Sequence, residues 1–191
     1  APAGLIANLQ YWVKANSGTN TTTNGAEVTS WTDLANIVTN TGSTGNVPTY
    51  VETGINHNPS LNFNGSSQKL TVNDLSNLPS GAGQRSLFIV GRLGAEDNNY
   101  RYAFSHGEDV TGQAHGLGQS NSGLVGSYNG RSSNSTSSNF FVVDDAFIGS
   151  GYYSGTQAVI AKDGELRDST ARSWNTDNAA GGSTGYVGAW V

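Results

Sequence analysis

Three loops of this chain carry oxygen-bearing side chains of the kind that a hard metal ion needs. The loops are Glu96-Asp97-Asn98-Asn99, Glu108-Asp109 and Trp174-Asn175-Thr176-Asp177-Asn178. Ca²⁺ takes about six to eight oxygen ligands from carboxylates, amides and backbone carbonyls of flexible loops. We therefore expect a bound Ca²⁺ with Asp109, Asn175 and Asp177 among its ligands. The alternative is that each loop is an ordinary solvated turn.

A ligand surface is expected beside the same loops, because several aromatic residues lie in or next to them. Tyr and Trp offer a large contact area and one polar tip at low entropic cost. Loops at one end of a β-sandwich converge in space although they are distant in sequence. The sequence thus predicts one site that all three loops and Tyr152-Tyr153 border. The predicted ligand-binding residues are Asp97, Asn99, Tyr100, Ser105, His106, Tyr152, Tyr153 and Trp174.

Catalysis is not expected from the carboxylates or from the one Ser-His dipeptide. Glycosidases on β-sandwiches carry alternate carboxylates on one face of a strand, and no three acidic residues here are spaced i, i+2, i+4. The pairs Glu96-Asp97, Glu108-Asp109 and Asp144-Asp145 are adjacent, so their members point to opposite faces of a strand. Ser105-His106 lacks the strand, elbow and helix that position a nucleophilic serine. We expect a protein that is not an enzyme.

The composition excludes several classes of protein. The 191 residues include 26 Gly, no Cys and no Met, and only 12% are charged. A disulfide scaffold and a thiolate metal site are therefore excluded, and a helical bundle is not expected. The net charge of −5 and nine scattered Lys and Arg give no basic patch for nucleic acid. No apolar run reaches the length of a membrane span, so membrane insertion is not expected either.

Short apolar runs separated by turn residues indicate an all-β chain. About twelve runs alternate apolar and polar residues or are wholly apolar, which favours an antiparallel two-sheet sandwich or jelly roll. The most hydrophobic run, Ser86 to Gly91, predicts a central strand buried on both faces. Asp163-Gly164 predicts a two-residue hairpin turn. We expect one domain over residues 1–191.

Several segments together resemble the concanavalin A-like, laminin-G-like jelly rolls of bacterial surface proteins. Val28 to Leu34 matches that family's V-x-x-W-x-D turn, and Asn58 to Gly65 matches its P-x-(V/L)-x-F-(D/N)-G strand. Leu87 to Gly91 is similar to its central strand, and Ala161 to Glu165 to its hairpin. A narrower resemblance is to the calcium-dependent peptide-binding domain of large RTX adhesins. Family members normally continue with a further strand after the segment that Gly185 to Val191 represents.

The resemblance implies a cell-adhesion module of a secreted protein displayed on a bacterial surface. Its ligand would be a short extended peptide with a free C-terminus, bound with Ca²⁺. Two alternatives remain open: a glycan-binding, lectin-like module on the same fold, and a spacer module without a ligand. The partner would be a peptide or glycan on a host or neighbouring cell, and the module would be monomeric. The start at Ala1 without Met leads us to expect a part of a larger protein.

Overall fold

The computed structural model describes residues 8–35, 38–96, 98–179 and 181–188. These residues form an all-β fold, as the sequence predicts. In chain order the strands are β1 (Ser30–Thr32), β2 (Thr39–Thr41), β3 (Thr49–Ile55), β4 (Asn58–Asn62), β5 (Leu70–Val72), β6 (Arg85–Arg92), β7 (Arg101–Gly107), β8 (Ala114–Gln119), β9 (Gly126–Asn129), β10 (Asn134–Ser137), β11 (Ala146–Tyr153), β12 (Gln157–Lys162), β13 (Glu165–Ala171) and β14 (Thr184–Val187). The described residues include no helix long and apolar enough to cross a membrane.

The strands form two main antiparallel sheets and one hairpin. The large sheet has eight strands in the order β1-β2-β5-β14-β7-β8-β9-β10, and the small sheet has four in the order β13-β12-β11-β6. Strands β3 and β4 pair with each other. The sheets pack through contacts of β9 and β10 with β12 and of β10 with β13, which is compatible with a β-sandwich. The antiparallel sandwich expected from the sequence is confirmed.

Alternation of buried and exposed residues explains how the small sheet forms. In β11, Phe147 and Tyr153 face the core while Ile148 and Tyr152 face outward, and β12 alternates in the same way. The predicted turn between β12 and β13 is confirmed, because Asp163 and Gly164 both have positive φ. A two-residue turn of this kind matches the twist of the strands that it joins.

The core consists of two clusters. One joins Leu117 and Tyr128 of the large sheet to Phe147, Tyr153 and Ile160 of the small sheet. Two glycines allow this packing, since a Cβ on Gly151 would overlap the Tyr128 ring, and one on Gly130 would overlap the Trp174 indole. The other cluster lies under β5, β7 and β14 and includes Leu70, Val72, Phe104 and Val187.

The prediction for residues 86–91 is right about the strand and wrong about its position. The segment forms β6, but β6 is an edge strand of the small sheet rather than a central strand. Its outward residues Phe88 and Val90 are 69% and 68% exposed. A continuous apolar run is typical of a strand buried on both faces, and here it has an apolar outer face instead.

Candidate functional site

An open groove lies where the segment after β5 meets the segment between β13 and β14. Its volume is about 890 Å³. The residues that come after Val72 in the chain form one wall, and those that come after Trp174 form the other. Polar side chains of both walls face the groove. The polar side chains of the lining are Thr71, Asn73, Asp74, Ser76 and Ser80 on one wall and Asn175, Thr176, Asp177, Asn178, Ser183 and Thr184 on the other.

The lining of this groove is rich in hydrogen-bonding groups and carries negative charge. Two carboxylates, Asp74 and Asp177, line it, and none of the described lining residues is Lys or Arg. The backbone N–H of Ser76 donates to Asp74 over 2.8 Å, which holds the pKa of Asp74 below its usual value. Asp177 accepts the backbone N–H of Ala179, also at 2.8 Å. The groove therefore presents an acidic, oxygen-rich surface at neutral pH.

A second, smaller groove continues the first along β5. It has a volume of about 510 Å³ and shares Thr71 and Asn73 with the first groove. Tyr186 lies directly opposite Thr71 on the neighbouring strand β14. The Nζ atom of Lys69 lies 3.9 Å from the centre of the Tyr186 ring. The second groove therefore adds a cation beside an aromatic ring to one continuous polar surface.

A chain of buried side chains runs from the groove into the core. Asn178, at the groove, places Oδ1 2.8 Å from Nδ1 of His106. Nε2 of His106 lies 2.9 Å from Nδ1 of His115, and Nε2 of His115 lies 2.8 Å from the hydroxyl of Tyr128. Both histidines and Tyr128 are buried.

The orientation of Asn178 fixes the direction of every bond in this chain. Its Nδ2 donates to the carbonyl oxygen of Leu78 at 3.0 Å, with those of Leu75 and Pro79 at 3.3 and 3.4 Å, so its Oδ1 accepts from His106. His106 therefore carries a proton on Nδ1, and as a neutral ring it accepts at Nε2. His115 donates from Nδ1 and accepts the Tyr128 hydroxyl at Nε2. In this arrangement of neutral rings each histidine carries one proton.

Arg85 closes the chain at the end opposite Asn178 and returns it to the floor of the groove. Its guanidinium hydrogen-bonds the Tyr128 side chain and donates to Thr176 Oγ1 at 2.7 Å and to the Gly81 carbonyl at 3.2 Å. No hydrogen bond or ion pair joins Arg85 to a carboxylate among the described residues. A buried cation without a counter-ion disfavours further positive charge nearby.

Burial and the charge of Arg85 both lower the pKa values of the two histidines. Burial lowers the pKa of His106 to about 4, the bond to Asn178 opposes the shift, and the charge of Arg85 adds to it. Burial, His106 and Arg85 together lower the pKa of His115 well below its ordinary value. Both rings therefore stay neutral around pH 7.

Two of the three predicted loops do meet. The backbone N–H of Asn175 donates to the carbonyl of Gly112 at 2.8 Å, and that of Asp177 donates to Gln113 at 3.0 Å. The loop that carries Asp109 is therefore bound to the segment that carries the other two predicted metal ligands. Asp109 itself forms an exposed ion pair of 2.8 Å with Arg131.

The third loop lies elsewhere, so the prediction of one site bordered by all three loops is wrong. Asn99 and Tyr100 precede β7, whereas Asp109 follows it. Seven extended residues separate these ends by about 20 Å. Asn99 and Tyr100 are exposed at the far end of the strand. Asp97 lies outside the described residues.

Four of the eight predicted contact residues are buried, which corrects their expected role as exposed ligand anchors. Trp174 is 1% exposed and Tyr153 is fully buried, and their rings stack with centres 4.7 Å apart. Ser105 and His106 are buried as well. Tyr152 is exposed, but it lies on the outer face of the small sheet. Aromatic residues next to loop-forming residues look exposed in a sequence, although here Gly130 leaves room for Trp174 in the core.

The site residues that the sequence analysis does not predict include Asp74, Asn178 and Arg85. Asp74 could have been found, because Asp-Leu-Ser after a short strand is typical of a turn in which Asp accepts a backbone N–H two residues later. Asn178 belongs to a predicted loop, yet nothing in its neighbours indicates a histidine 72 positions away. Arg85 begins the most apolar strand and carries no local signal of a buried charge.

The described residues contain no group of three or more His, Asp or Glu side chains that could hold a metal ion. Asp74 and Asp177 are two carboxylates on one groove, with amide oxygens beside them. A Ca²⁺ ion at this place would depend mainly on amide and backbone oxygens. The predicted Ca²⁺ therefore stays a prediction.

Comparison of the chain with protein-family models, curated proteins and solved structures gave no match.

Proposed function

We propose that this chain is a glycan-binding module, and that the groove between Asp74 and Asp177 is its binding site. The observation that supports the proposal is the lining of that groove, which combines hydroxyls, amides and carboxylates without a positive side chain in the described part. Carboxylates accept hydrogen bonds from sugar hydroxyls, and Asn amides both donate and accept. A neutral ligand with many hydroxyls satisfies such a lining best.

The second groove favours a ligand of more than one sugar unit. The two grooves share Thr71 and Asn73, so one extended ligand can contact both. Lys69 is the cation of the second groove, and it would attract an acidic substituent of the sugar. The module would belong to a secreted bacterial adhesin, as the resemblance in sequence implies.

A glycan array followed by titration of the best ligand tests this proposal. Asp74→Asn keeps the size of the side chain and removes its charge, so binding should weaken by about tenfold or more, the scale of a hydrogen bond to a charged group. Asp145→Asn is the matched control, since Asp145 is exposed at the other end of β11 from the groove. Equal binding by both variants, or no glycan bound at all, would contradict the proposal.

Calcium-assisted capture of a peptide C-terminus is the second candidate, and the pair Asp74 and Asp177 favours it. These carboxylates would repel the carboxylate of a peptide, whereas a Ca²⁺ between them would attract it. Ligand at a hundredfold excess over Kd stabilises the native state by about 2.7 kcal/mol. The melting temperature should then rise by roughly 5–10 °C in millimolar Ca²⁺ relative to chelator. Equal melting in both solutions would leave the glycan proposal and remove this one.

A further inference from the structure

The outer face of the small sheet is apolar at its centre. In an antiparallel sandwich this face normally carries polar residues, because it is exposed to water. Here it carries five large apolar side chains that are between 41% and 69% exposed, namely Phe88 and Val90 of β6, Ile148 and Tyr152 of β11 and Leu166 of β13. Charged side chains lie at its margins, at Arg92 and around the turn that contains Asp163, Glu165 and Arg167. A contiguous apolar patch of this kind marks an interaction surface.

The strand register arranges the centre of this face into two neighbouring rows that run across the strands. The Phe88 row consists, from β6 to β13, of Phe88, Ser150, Ala161 and Leu166. The Tyr152 row consists, in the same order, of Ser86, Tyr152, Val159 and Ser169. The first row has large residues at its ends and small ones in the middle, and the second row has the reverse. Each large side chain of one row therefore has a small neighbour on the same strand in the other row.

This pattern of sizes is complementary to itself. A two-fold axis parallel to the rows and midway between them would place the Phe88 row of a second copy on the Tyr152 row of the first. Phe88 of each copy would then lie over Ser86 of the other, and Tyr152 over Ser150. Side chains interdigitate in this way between packed sheets whose strands are aligned within about 30°. A contact about a two-fold axis requires a surface that fits itself, and these two rows meet that requirement.

The extent of the face also fits a second copy. Four strands of six to eight residues, spaced about 4.8 Å apart, cover about 500 Å². A dimer would therefore bury about 1,000 Å² in total, the lower limit of specific interfaces. The buried centre of homodimer interfaces is likewise apolar and poor in charge. A segment as short as residues 1–7, the longest stretch outside the described residues, could cover about one of the four strands.

We infer that two copies of this chain form a two-fold dimer through the outer faces of their small sheets, with each Phe88 row packed on the other copy's Tyr152 row. The dimer departs from the monomer that the resemblance in sequence implies. No residue of either row lines the groove, so the inference is independent of the glycan proposal. A dimer would carry two grooves, which would raise its avidity for a repetitive ligand.

Sedimentation velocity of the whole chain tests for the dimer directly. An interface of this size should give a reversible equilibrium between monomer and dimer, with a Kd in the micromolar range. Protein concentrations from about 1 to 500 μM cover that range. Because the contact is apolar, about 0.5 M NaCl should not dissociate the dimer. A monomer at every concentration would overturn the inference, and so would a dimer that salt dissociates.

An exchange of large and small side chains tests how the rows pack. Ser150→Tyr adds apolar surface but places a large side chain opposite Tyr152, so it should weaken the dimer at least tenfold. Adding Tyr152→Ser restores one large and one small residue on this strand and should recover most of the loss. Equal or stronger dimerisation of Ser150→Tyr would show general hydrophobic association and would overturn the inference. A folded double variant that stays as weak as Ser150→Tyr would overturn the proposed packing.

A pair of lysine variants assigns the dimer to this face. Tyr152→Lys puts a charge at the centre of the contact and should weaken the dimer at least tenfold. Val110→Lys is the matched control, since Val110 is 45% exposed, close to the 41% of Tyr152, but lies in the loop after β7. Both positions are exposed, so the fold is expected to tolerate the changes, and circular dichroism checks it. Equal dissociation by both variants, or by neither, would overturn the assignment to the small sheet.

Discussion

Nδ1 of His115 lies 2.9 Å from Nε2 of His106, and both rings are buried. Only one proton fits between these two nitrogens, because two N–H groups cannot face each other at this distance. Burial and the charge of Arg85 lower the pKa of both rings, so both histidines are neutral around pH 7. Protonation of either ring would put two donors face to face or add a second cation near Arg85.

Acid should destabilise the fold in a defined pH window. The pKa of His106 is about 4 when folded and 6.5 when unfolded, so the unfolded state binds more protons between these values. Stability should fall by about 3 kcal/mol as the pH drops from 6.5 to 4, from His106 alone. Urea denaturation at several pH values measures this. His57→Asn is the control, because His57 is exposed and has no part in the buried chain. A flat profile between pH 7 and 4 would contradict the prediction.

Asn178→Ala should destabilise the native state by about 1–3 kcal/mol, the cost of leaving buried hydrogen-bonding groups without partners. The change removes the acceptor of His106 and the donor to the carbonyl of Leu78. Chemical denaturation of the variant checks the loss. Asn77→Ala, an exposed change in the neighbouring turn, should cost less than about 0.5 kcal/mol.

Gly151→Ala should cost about 1–3 kcal/mol or prevent folding, because the new methyl group would overlap the Tyr128 ring. Tyr128 also accepts the bond from Arg85, so its displacement would disturb the buried chain. Gly94→Ala is the matched control, since nothing lies within 4 Å of a Cβ at that position. Similar melting temperatures of the two variants would contradict the prediction, because they would show that the small sheet can shift to accommodate a methyl group at Gly151.

Trp174→Ala should act on stability and not on ligand contact. The residue is buried, donates through Nε1 to the Ser133 carbonyl and stacks on Tyr153, so its truncation should cost about 3–5 kcal/mol. Tyr100→Ala, an exposed aromatic truncation, should cost less than about 1 kcal/mol. Thermal denaturation separates them. A stable Trp174→Ala variant that loses only glycan binding would restore the ligand-anchor interpretation.

Local patterns in the sequence predict where the strands are, but they do not predict which strands lie beside each other in a sheet. Alternation within β11 and β12 and the Asp163-Gly164 turn depend on adjacent residues, so they could be predicted. The edge position of β6 depends on which strands pair with it, and the apolar residues of β6 do not indicate its pairing partners. The same limit explains the loops of Tyr100 and Asp109, because only the path of β7 shows that they lie at opposite ends.

The candidate site was predicted in part for the same reason. Asn175 and Asp177 belong to a predicted loop and do line the groove. Asp74, on the opposite wall, comes from a segment about a hundred residues earlier. The pairing of β14 with β5 and the bonds of Asn178 to the Leu75 and Leu78 carbonyls bring the two segments together. Trp174 was predicted to be an exposed ligand contact and is buried instead. Its burial depends on Gly130, which has no side chain to occupy the space of the indole ring.

Arg85 lies directly beneath the groove, because its partners Gly81 and Thr176 both belong to the lining. The exposed Asp74 faces water, so dissolved salt screens its charge within about 8–10 Å at physiological ionic strength. The buried guanidinium is screened much less. Raising the ionic strength should thus shift the electrostatic potential in the groove from negative toward positive. The preference of the groove between cationic and anionic ligands would then depend on the salinity of the surroundings.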